Sequence, residues 1–184
     1  MVLACCALLP SAAFGQTSTT PAPAPNTTGG VSPSDPQFQP APKAKIVGGM
    51  AIAPIGAPQQ VVDAINAANQ IVTKPYIFGG GHRSFNSRGY DCSGSVSFAL
   101  HGAGLLDSPL DSSDFMHWGE PGKGQWITVY TNPGHAFVMI AGLRFDTGFR
   151  DRMGKAHGAA PGTGPRWGGP RPTRGYHARH PLGL

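Results

Sequence analysis

The sequence predicts an α+β domain in which a helix packs on an antiparallel β-sheet. Two observations favour this class. Apolar residues repeat at helical spacing in two segments before residue 104, and three short runs of β-branched and aromatic residues follow residue 125. Because the helical segments come first and strands joined by tight turns come afterwards, they fit the α+β class. We assign the folded domain to residues 55–149.

The first predicted helix begins at Pro58, since proline suits the first helical position, and it ends before the Lys74-Pro75 pair. One face carries apolar residues at spacings of four, three and four: Val61, Ile65, Ala68 and Val72. The following segment, residues 78–82, holds three consecutive glycines, which makes it too permissive for regular structure. It is therefore expected to be a loop between the two helices.

The second predicted helix runs from Cys92 to Ala103, and its first residue is a cysteine. Unpaired backbone N–H groups and the positive end of the helix dipole stabilise an anion at this position, which favours a thiolate. Asp91 and Ser93 are residue types that suit a helix start. A lone cysteine can also be an inert, buried apolar residue. Its place at a helix start favours the reactive interpretation.

Three strands are predicted after the second helix, at Trp126–Tyr130, His135–Ile140 and Leu143–Thr147. Turn-forming residues 131–134 separate the first two strands, and Ala141-Gly142 separates the last two. A two-residue turn pairs Ile140 with Leu143. Continuing that register sets Asp146 opposite Phe137.

The same register predicts that His135 and Asp146 share a face of the sheet, because side chains alternate along a strand. They are then diagonal neighbours, about 7 Å apart and within side-chain reach. A carboxylate in that position can hold an imidazole in one tautomer, and a histidine is the usual base for a cysteine nucleophile. Asp146 could equally be a turn acid or pair with Arg144. The remaining histidines, including His82 in the glycine loop, are weaker candidates.

The two ends of the chain differ in composition from the middle. Residues 1–16 have an apolar core followed by small residues, as in a secretory signal, although they lack a positive start. Residues 17–54 are predicted to be a disordered linker rich in Pro, Ser and Thr. Residues 150–184 form a basic segment rich in Gly and Pro. A secreted or cell-wall-associated protein is expected, and removal of the signal would leave Cys92 as its single cysteine.

The charge of the chain is concentrated at one end. The net charge is +5, and residues 150–184 carry seven basic side chains and one acid. This segment is expected to be either a solvated tail or a segment that binds anionic cell-wall polymers. The sequence shows no nucleic-acid motif, no apolar run long enough to span a membrane and no Cys/His cluster with zinc spacing. We therefore expect a monomer with no metal, cofactor, nucleic acid or membrane span.

Three segments resemble the NlpC family of cell-wall cysteine peptidases. They are KPYIFGG at residues 74–80, GYDCSGSV at residues 89–96 and GHAFV at residues 134–138. The resemblance covers about half of the chain, and the first two segments are the more specific. It implies a papain-like fold and hydrolysis of peptidoglycan stem peptides at the bond from D-glutamate to a diamino acid. The segments at residues 124–129 and 143–146 depart from the family pattern, which puts the substrate groove in question.

The resemblance also implies roles for single residues. It makes Cys92 the nucleophile, His135 the base and Asp146 the third residue. Tyr76 matches a tyrosine that helps to bind the oxyanion, although it could also be an aromatic residue that packs against the cysteine helix. Asp91 and Ser93 match positions that contact the free amine of the stem peptide.

Two other functions stay open at this point. An acyltransferase, or an amidase of another substrate, would use the same thioacyl intermediate. A non-catalytic wall-binding module would owe its affinity to the basic segment instead. The first alternative predicts a ligated product, and the second predicts an unreactive cysteine.

Overall fold

The computed structural model describes residues 41–148 and 164–184. In these ranges a short hairpin precedes two helices, and six further strands follow them. The hairpin consists of β1 (Lys45–Val47) and β2 (Met50–Ile52), and the helices are α1 (Gln59–Ile71) and α2 (Cys92–Gly102). A 3₁₀ helix (Asp114–His117) leads to β3 (Glu120–Pro121), β4 (Ile127–Asn132), β5 (His135–Ile140), β6 (Leu143–Asp146), β7 (Arg166–Gly168) and β8 (His177–His180).

Strands β3 to β8 form one sheet in the order β3-β8-β4-β5-β6-β7, and every pair in it is antiparallel. Helix α2 contacts β5 and β6. The α+β prediction is therefore confirmed, and so is the arrangement in which the helix that bears the cysteine packs on an antiparallel sheet. Neither helix in the described ranges is long and apolar enough to cross a membrane.

The two predicted helices are confirmed with small changes at their ends. Helix α1 starts one residue after Pro58, which is its N-cap, and it buries Val61, Ile65 and Ala68 as the spacing predicts. Helix α2 begins at Cys92 and is capped at its other end by Ala103. The helices pack closely, because a Cβ on Gly102 would overlap with the Ala67 side chain.

The central hairpin of the sheet has the predicted register. Ile140 pairs with Leu143 and Val138 pairs with Phe145. The turn residues Ala141 and Gly142 have φ angles of 45° and 81°, the left-handed values that a tight two-residue hairpin turn requires. This register sets which side chains of β5 and β6 share a face, and it thereby positions the site described below.

The predicted linker extends too far at its C-terminal end. Residues 45–52 form the β1–β2 hairpin instead of disordered chain. The side-chain amide of Asn69 on α1 accepts a hydrogen bond from the Ala51 N–H and donates one to the Ala51 carbonyl, each 2.9 Å long. Ala44 and Ala51 are buried in the core. The linker prediction is therefore wrong for this part, because the hairpin pairs through its backbone and needs little apolar sequence.

The C-terminal segment also belongs to the domain, which does not end at residue 149. Strand β7 pairs with β6, and β8 pairs with both β3 and β4. Trp167 on β7 is fully buried, and its Nε1–H donates to Asn69 Oδ1 over 2.8 Å. The described part of the predicted basic segment thus supplies two strands of the main sheet. The predicted signal at residues 1–16 and the linker up to residue 40 lie outside the described residues.

Candidate active site

Cys92 is the first residue of α2 and is partly exposed. The residue before it, Asp91, is the N-cap, and its Oδ1 accepts a hydrogen bond of 2.8 Å from the Gly94 N–H. This capping bond fixes the start of the helix at the cysteine. The sulfur therefore lies where the N–H groups of the first turn have no partner within the helix.

Glycines bring the loop after α1 directly against the first turn of α2. A Cβ on Gly94 would overlap with the carbonyl oxygen of Gly80, and a Cβ on Gly80 would overlap with the carbonyl oxygen of Gly89. The Asp91 N–H donates to the Gly80 carbonyl over 3.2 Å. Gly80 and Gly94 are thus explained by backbone packed on backbone, whereas Gly79 has a φ angle of 72°, in the left-handed region that favours glycine.

His135, the first residue of β5, lies between Cys92 and Asp146. Its Nε2 is 2.8 Å from Oδ1 of Asp146. The Cys92 side chain also interacts with this imidazole and favours its protonated form. The structure therefore brings together the three residues that the sequence predicts as nucleophile, base and third residue.

The surroundings of His135 favour its protonated form. Burial lowers the pKa of this imidazole. Hydrogen-bond and charge interactions with Asp146 and Cys92 outweigh burial and raise the pKa from 6.5 to about 9. Near neutral pH the ring therefore carries a proton between a carboxylate and a sulfur. This state is complementary to an anionic sulfur.

Asp146 is fully buried and is surrounded by donors. Its Oδ1 accepts from the Gly148 N–H over 2.8 Å, in addition to its contact with His135. Its Oδ2 lies 3.2 Å from Nη1 of Arg144 and 3.5 Å from Nη1 of Arg171. Burial raises the pKa of Asp146, but the contacts with His135, Gly148 and Arg144 outweigh it and lower the pKa. The two partners considered for this residue, His135 and Arg144, are thus both present.

Sequence reasoning gave too little weight to His82. Its Nε2 lies 2.9 Å from Oδ2 of Asp91 and 3.1 Å from the Ser93 hydroxyl. Asp91 and Ser93 are both buried, and Oδ2 of Asp91 also accepts from the Gly79 N–H over 3.0 Å. The two residues predicted to contact a substrate amine therefore already have partners within the domain. No spacing rule links His82 to them, since the contact depends on the path of the glycine loop.

Tyr76 lies beside the start of α2 through a backbone bridge to Tyr90. The Tyr90 N–H donates to the Pro75 carbonyl, and the Ile77 N–H donates to the Tyr90 carbonyl. Tyr90 is buried in the core, whereas Tyr76 is 41% exposed. Tyr76 is therefore a partly exposed residue at the level of the cysteine, and Tyr90 is the aromatic residue that fills the core there.

The C-terminal segment supplies two further residues that the sequence does not reveal. The ring of Tyr176 meets the His135 ring edge-on, with centroids 6.4 Å apart. The guanidinium of Arg171 lies over the rings of Phe137 and Tyr176 at 5.5 and 5.6 Å.

A nucleophile at a helix start, an imidazole and a carboxylate in this order can perform acyl transfer through a thioester.

No protein-family model and no curated protein matches the chain. Among solved structures, it is similar to the peptidoglycan hydrolase RipB from Mycobacterium tuberculosis, at 21% identity and a TM-score of 0.49, over 70% of this chain and 68% of that one. A hypothetical invasion protein of Mycobacterium tuberculosis is 18% identical with a TM-score of 0.46, over 74% and 71%. A mutated form of the Resuscitation Promoting Factor Interacting protein RipA is 18% identical with a TM-score of 0.46, over 75% and 72%. Similarity at this level does not by itself assign an activity.

Proposed function

We propose that this protein is a cysteine hydrolase that cleaves amide bonds in peptidoglycan stem peptides. The observation that carries the proposal is the position of the His135 imidazole, which contacts the Asp146 carboxylate at 2.8 Å and interacts electrostatically with the Cys92 side chain. In this proposal Cys92 is the nucleophile, His135 the general acid and base, and Asp146 the residue that orients the imidazole.

The first half of the reaction forms a thioester. The sulfur of Cys92 attacks the scissile carbonyl as a thiolate and forms a carbon–sulfur bond. Protonated His135 then donates its proton to the leaving nitrogen, the carbon–nitrogen bond breaks, and the amine departs. A raised pKa of His135, to about 9, supports this step because it keeps a proton available next to the sulfur.

The second half of the reaction releases the acid. A water molecule attacks the thioester carbonyl while neutral His135 accepts one of its protons. The carbon–sulfur bond breaks and Cys92 leaves as a thiolate, which restores the starting pair. Asp146 holds the ring through Nε2 in both steps, which keeps the imidazole in one orientation beside the nucleophile.

The negative charge on the carbonyl oxygen needs donors that lie close to the nucleophile. The backbone N–H of Cys92 supports this role because it lies in the first turn of α2 and has no helical acceptor. Tyr76 is a second candidate, since it is partly exposed beside Tyr90. Asp91 and Ser93 remain proposed contacts for a substrate amine, but such an amine would compete with His82 for them.

The substrate proposal depends on the sequence resemblance. The KPYIFGG, DCSG and GHAFV segments are those of cell-wall cysteine peptidases, and they favour the bond from D-glutamate to the diamino acid. The proposed location is outside the cytoplasm, at the cell wall. Basic residues in segment 150–184 would help to hold the protein on anionic wall polymers.

The test is hydrolysis of purified muropeptides by the wild-type protein and by Cys92→Ala, with products identified by mass spectrometry. We expect the wild type to release the fragment that begins with the diamino acid, and the variant to release none while its circular dichroism spectrum is unchanged. Activity in the Cys92→Ala variant would refute the proposal. A ligated product would favour the acyltransferase, and wall binding without any product would favour the binding module.

A further inference from the structure

The connection from β7 to β8, residues 169–176, passes across the sheet at the candidate site. Strands β6, β5 and β4 lie between β7 and β8 in the sheet order. Four strand spacings correspond to about 19 Å, and the eight connecting residues can span this distance because their fully extended length is about 26 Å. We call these eight residues the strap. Because each neighbouring pair between them is antiparallel, β7 and β8 run in the same direction, and the strap has to cross one face of β6, β5 and β4.

The contacts of the strap show that it crosses at the end that carries the site. Arg171 reaches Asp146 on β6, and Tyr176 meets His135 on β5. Further along, the side-chain N–H of Asn132 on β4 donates to the Gly175 carbonyl over 3.3 Å. The strap thus has a contact with the site end of each of the three strands that it crosses.

Arg171 is the strap residue that contacts the Asp146 carboxylate. Its Nη1 is 3.5 Å from Oδ2 of Asp146, and its guanidinium lies over the rings of Phe137 and Tyr176. Pro170 and Pro172 precede and follow it, and the fixed φ angle of proline limits the backbone on both sides. The guanidinium is therefore held in place before any substrate binds.

The need to neutralise a buried carboxylate does not account for Arg171. Arg144 is almost fully buried and already contacts Oδ2 of Asp146 at 3.2 Å. Arg171 keeps 31% of its side chain exposed and approaches the same oxygen from the strap. Two donors from different elements restrict the rotation of the carboxylate more than one donor does, and this rotation decides where the Nε2 of His135 is held.

We infer that Arg171 is a positioning residue of the Cys92–His135–Asp146 site, which acts by holding the Asp146 carboxylate in the orientation that directs the imidazole at the sulfur. The strap is then a structural part of the active site and not a solvated tail. The inference builds on the proposed function, because it assigns Arg171 a role in that same reaction.

The test compares Arg171→Gln with Arg174→Gln in the full-length protein. Arg174 is an exposed strap residue with the same charge, and within residues 41–148 and 164–184 it contacts neither Asp146 nor His135. For Arg171→Gln we expect kcat on muropeptides to fall roughly tenfold, less than the ~10²-fold that a 1 Å displacement of a reacting group can cost. KM should stay within about twofold, and Arg174→Gln should match the wild type. Arg171→Lys, which retains the charge, should recover part of kcat.

The pH profile separates positioning from a simple charge effect. If Asp146 holds His135 less well in Arg171→Gln, the alkaline limb of kcat/KM moves to lower pH, because the contact with Asp146 raises the pKa of His135. Loss of a positive charge alone would move this limb to higher pH. A shift to higher pH, a change in KM alone, or equal losses in both glutamine variants would overturn the inference.

A second measurement does not depend on the substrate. The rate of Cys92 alkylation by iodoacetamide, followed against pH, reports on the sulfur and its histidine. We expect the alkaline part of this profile to shift in Arg171→Gln and not in Arg174→Gln. If the wild type cleaves no muropeptide, the proposed function fails while the alkylation profile still decides on Arg171. An unshifted alkylation profile in Arg171→Gln would overturn the role of Arg171. This conclusion would hold even if the variant were less stable than the wild type.

Discussion

Within the described residues, two histidine–aspartate pairs lie beside the same cysteine, and their distances are nearly equal. Nε2 of His135 is 2.8 Å from Asp146, and Nε2 of His82 is 2.9 Å from Asp91. The carboxylates differ in their other partners. Asp146 contacts two guanidinium groups and one backbone N–H, whereas Asp91 contacts no guanidinium group in the described residues and accepts hydrogen bonds from the backbone N–H groups of Gly79 and Gly94.

These partners give the two carboxylates different tasks. Asp91 ties a glycine loop to the first turn of α2, and His82 adds to that structural role. Asp146 is held by two guanidinium groups, and the imidazole bound to it also interacts with the Cys92 side chain. A histidine–aspartate distance alone is therefore not enough to recognise a catalytic pair, and the remaining contacts of the carboxylate distinguish the two cases.

The largest expected difference between the pairs is in activity. His135→Ala removes the proposed acid and base, and we expect hydrolysis of muropeptides to fall on the order of 10³-fold. His82→Ala removes a partner of the capping carboxylate, and we expect kcat to change by less than about threefold. Initial rates with both purified variants measure this. Similar losses in the two variants would mean that His82 takes part in the chemistry and that the comparison is wrong.

A smaller difference is expected in stability when each aspartate is replaced by asparagine. Asp146→Asn leaves the buried Arg144 without its carboxylate, which should lower the free energy of unfolding by about 3–5 kcal/mol. Asp91→Asn retains an oxygen that can cap Gly94 but loses the acceptor of the Gly79 N–H, which should cost about 1–2 kcal/mol.

Urea unfolding followed by circular dichroism gives both values. Each variant is the matched control for the other, because the same atoms change in both. If Asp91→Asn lowered the free energy of unfolding as much as Asp146→Asn does, the arginine contacts would not make Asp146 more important for stability than Asp91.

The smallest expected effect is a pH dependence of stability. The pKa of His135 is raised from 6.5 to about 9, so folding favours its protonated form. The resulting stabilisation is fully present below about pH 6.5 and is lost as the pH rises through about 9. We expect the stability difference between the wild type and His135→Ala to shrink by about 1–3 kcal/mol over this range.

Urea unfolding at about pH 6 and about pH 9.5 measures this change. The first pH lies below the range in which His135 loses its proton, and the second lies above it. The His82→Ala variant, measured in parallel, accounts for the other groups that titrate in this interval. A difference that stays constant, or that grows with pH, contradicts the assignment of a raised pKa to His135.

The part of the site that could be predicted from the sequence is the part set by local geometry. His135 and Asp146 are joined by a hairpin whose Ala141-Gly142 turn determines the strand pairing, so their proximity follows from counting residues. Cys92 was recognisable because Asp91 and the apolar spacing mark a helix start. In each case a short stretch of chain decides the geometry.

The contacts that could not be predicted join distant parts of the chain. Arg171 and Tyr176 reach the site because β7 and β8 lie on opposite sides of β4, β5 and β6 in the sheet. Strands β7 and β8 are three and four residues long and contain arginine and histidine, so neither has the alternation that identifies a strand. No spacing rule connects such residues to Asp146.

The β1–β2 hairpin is a different case, because a usable signal was present. Gly48-Gly49 separates two short apolar runs, and two glycines between such runs are typical of a hairpin. The composition of the preceding chain favoured a linker and outweighed that local pattern. A hairpin with only three residues per strand forms because it contacts α1, and the amino-acid composition of a segment does not show such contacts.

The position of β8 has a consequence for biosynthesis. This strand follows every partner it has along the chain, yet it lies between β3 and β4. While a nascent polypeptide has not yet emerged as far as residue 177, β4 presents unsatisfied amides and carbonyls along one side, which is the kind of edge that other chains join. A translation pause before β8 has been synthesised should therefore favour intermolecular association, and the addition of β8 to the sheet should end that vulnerability.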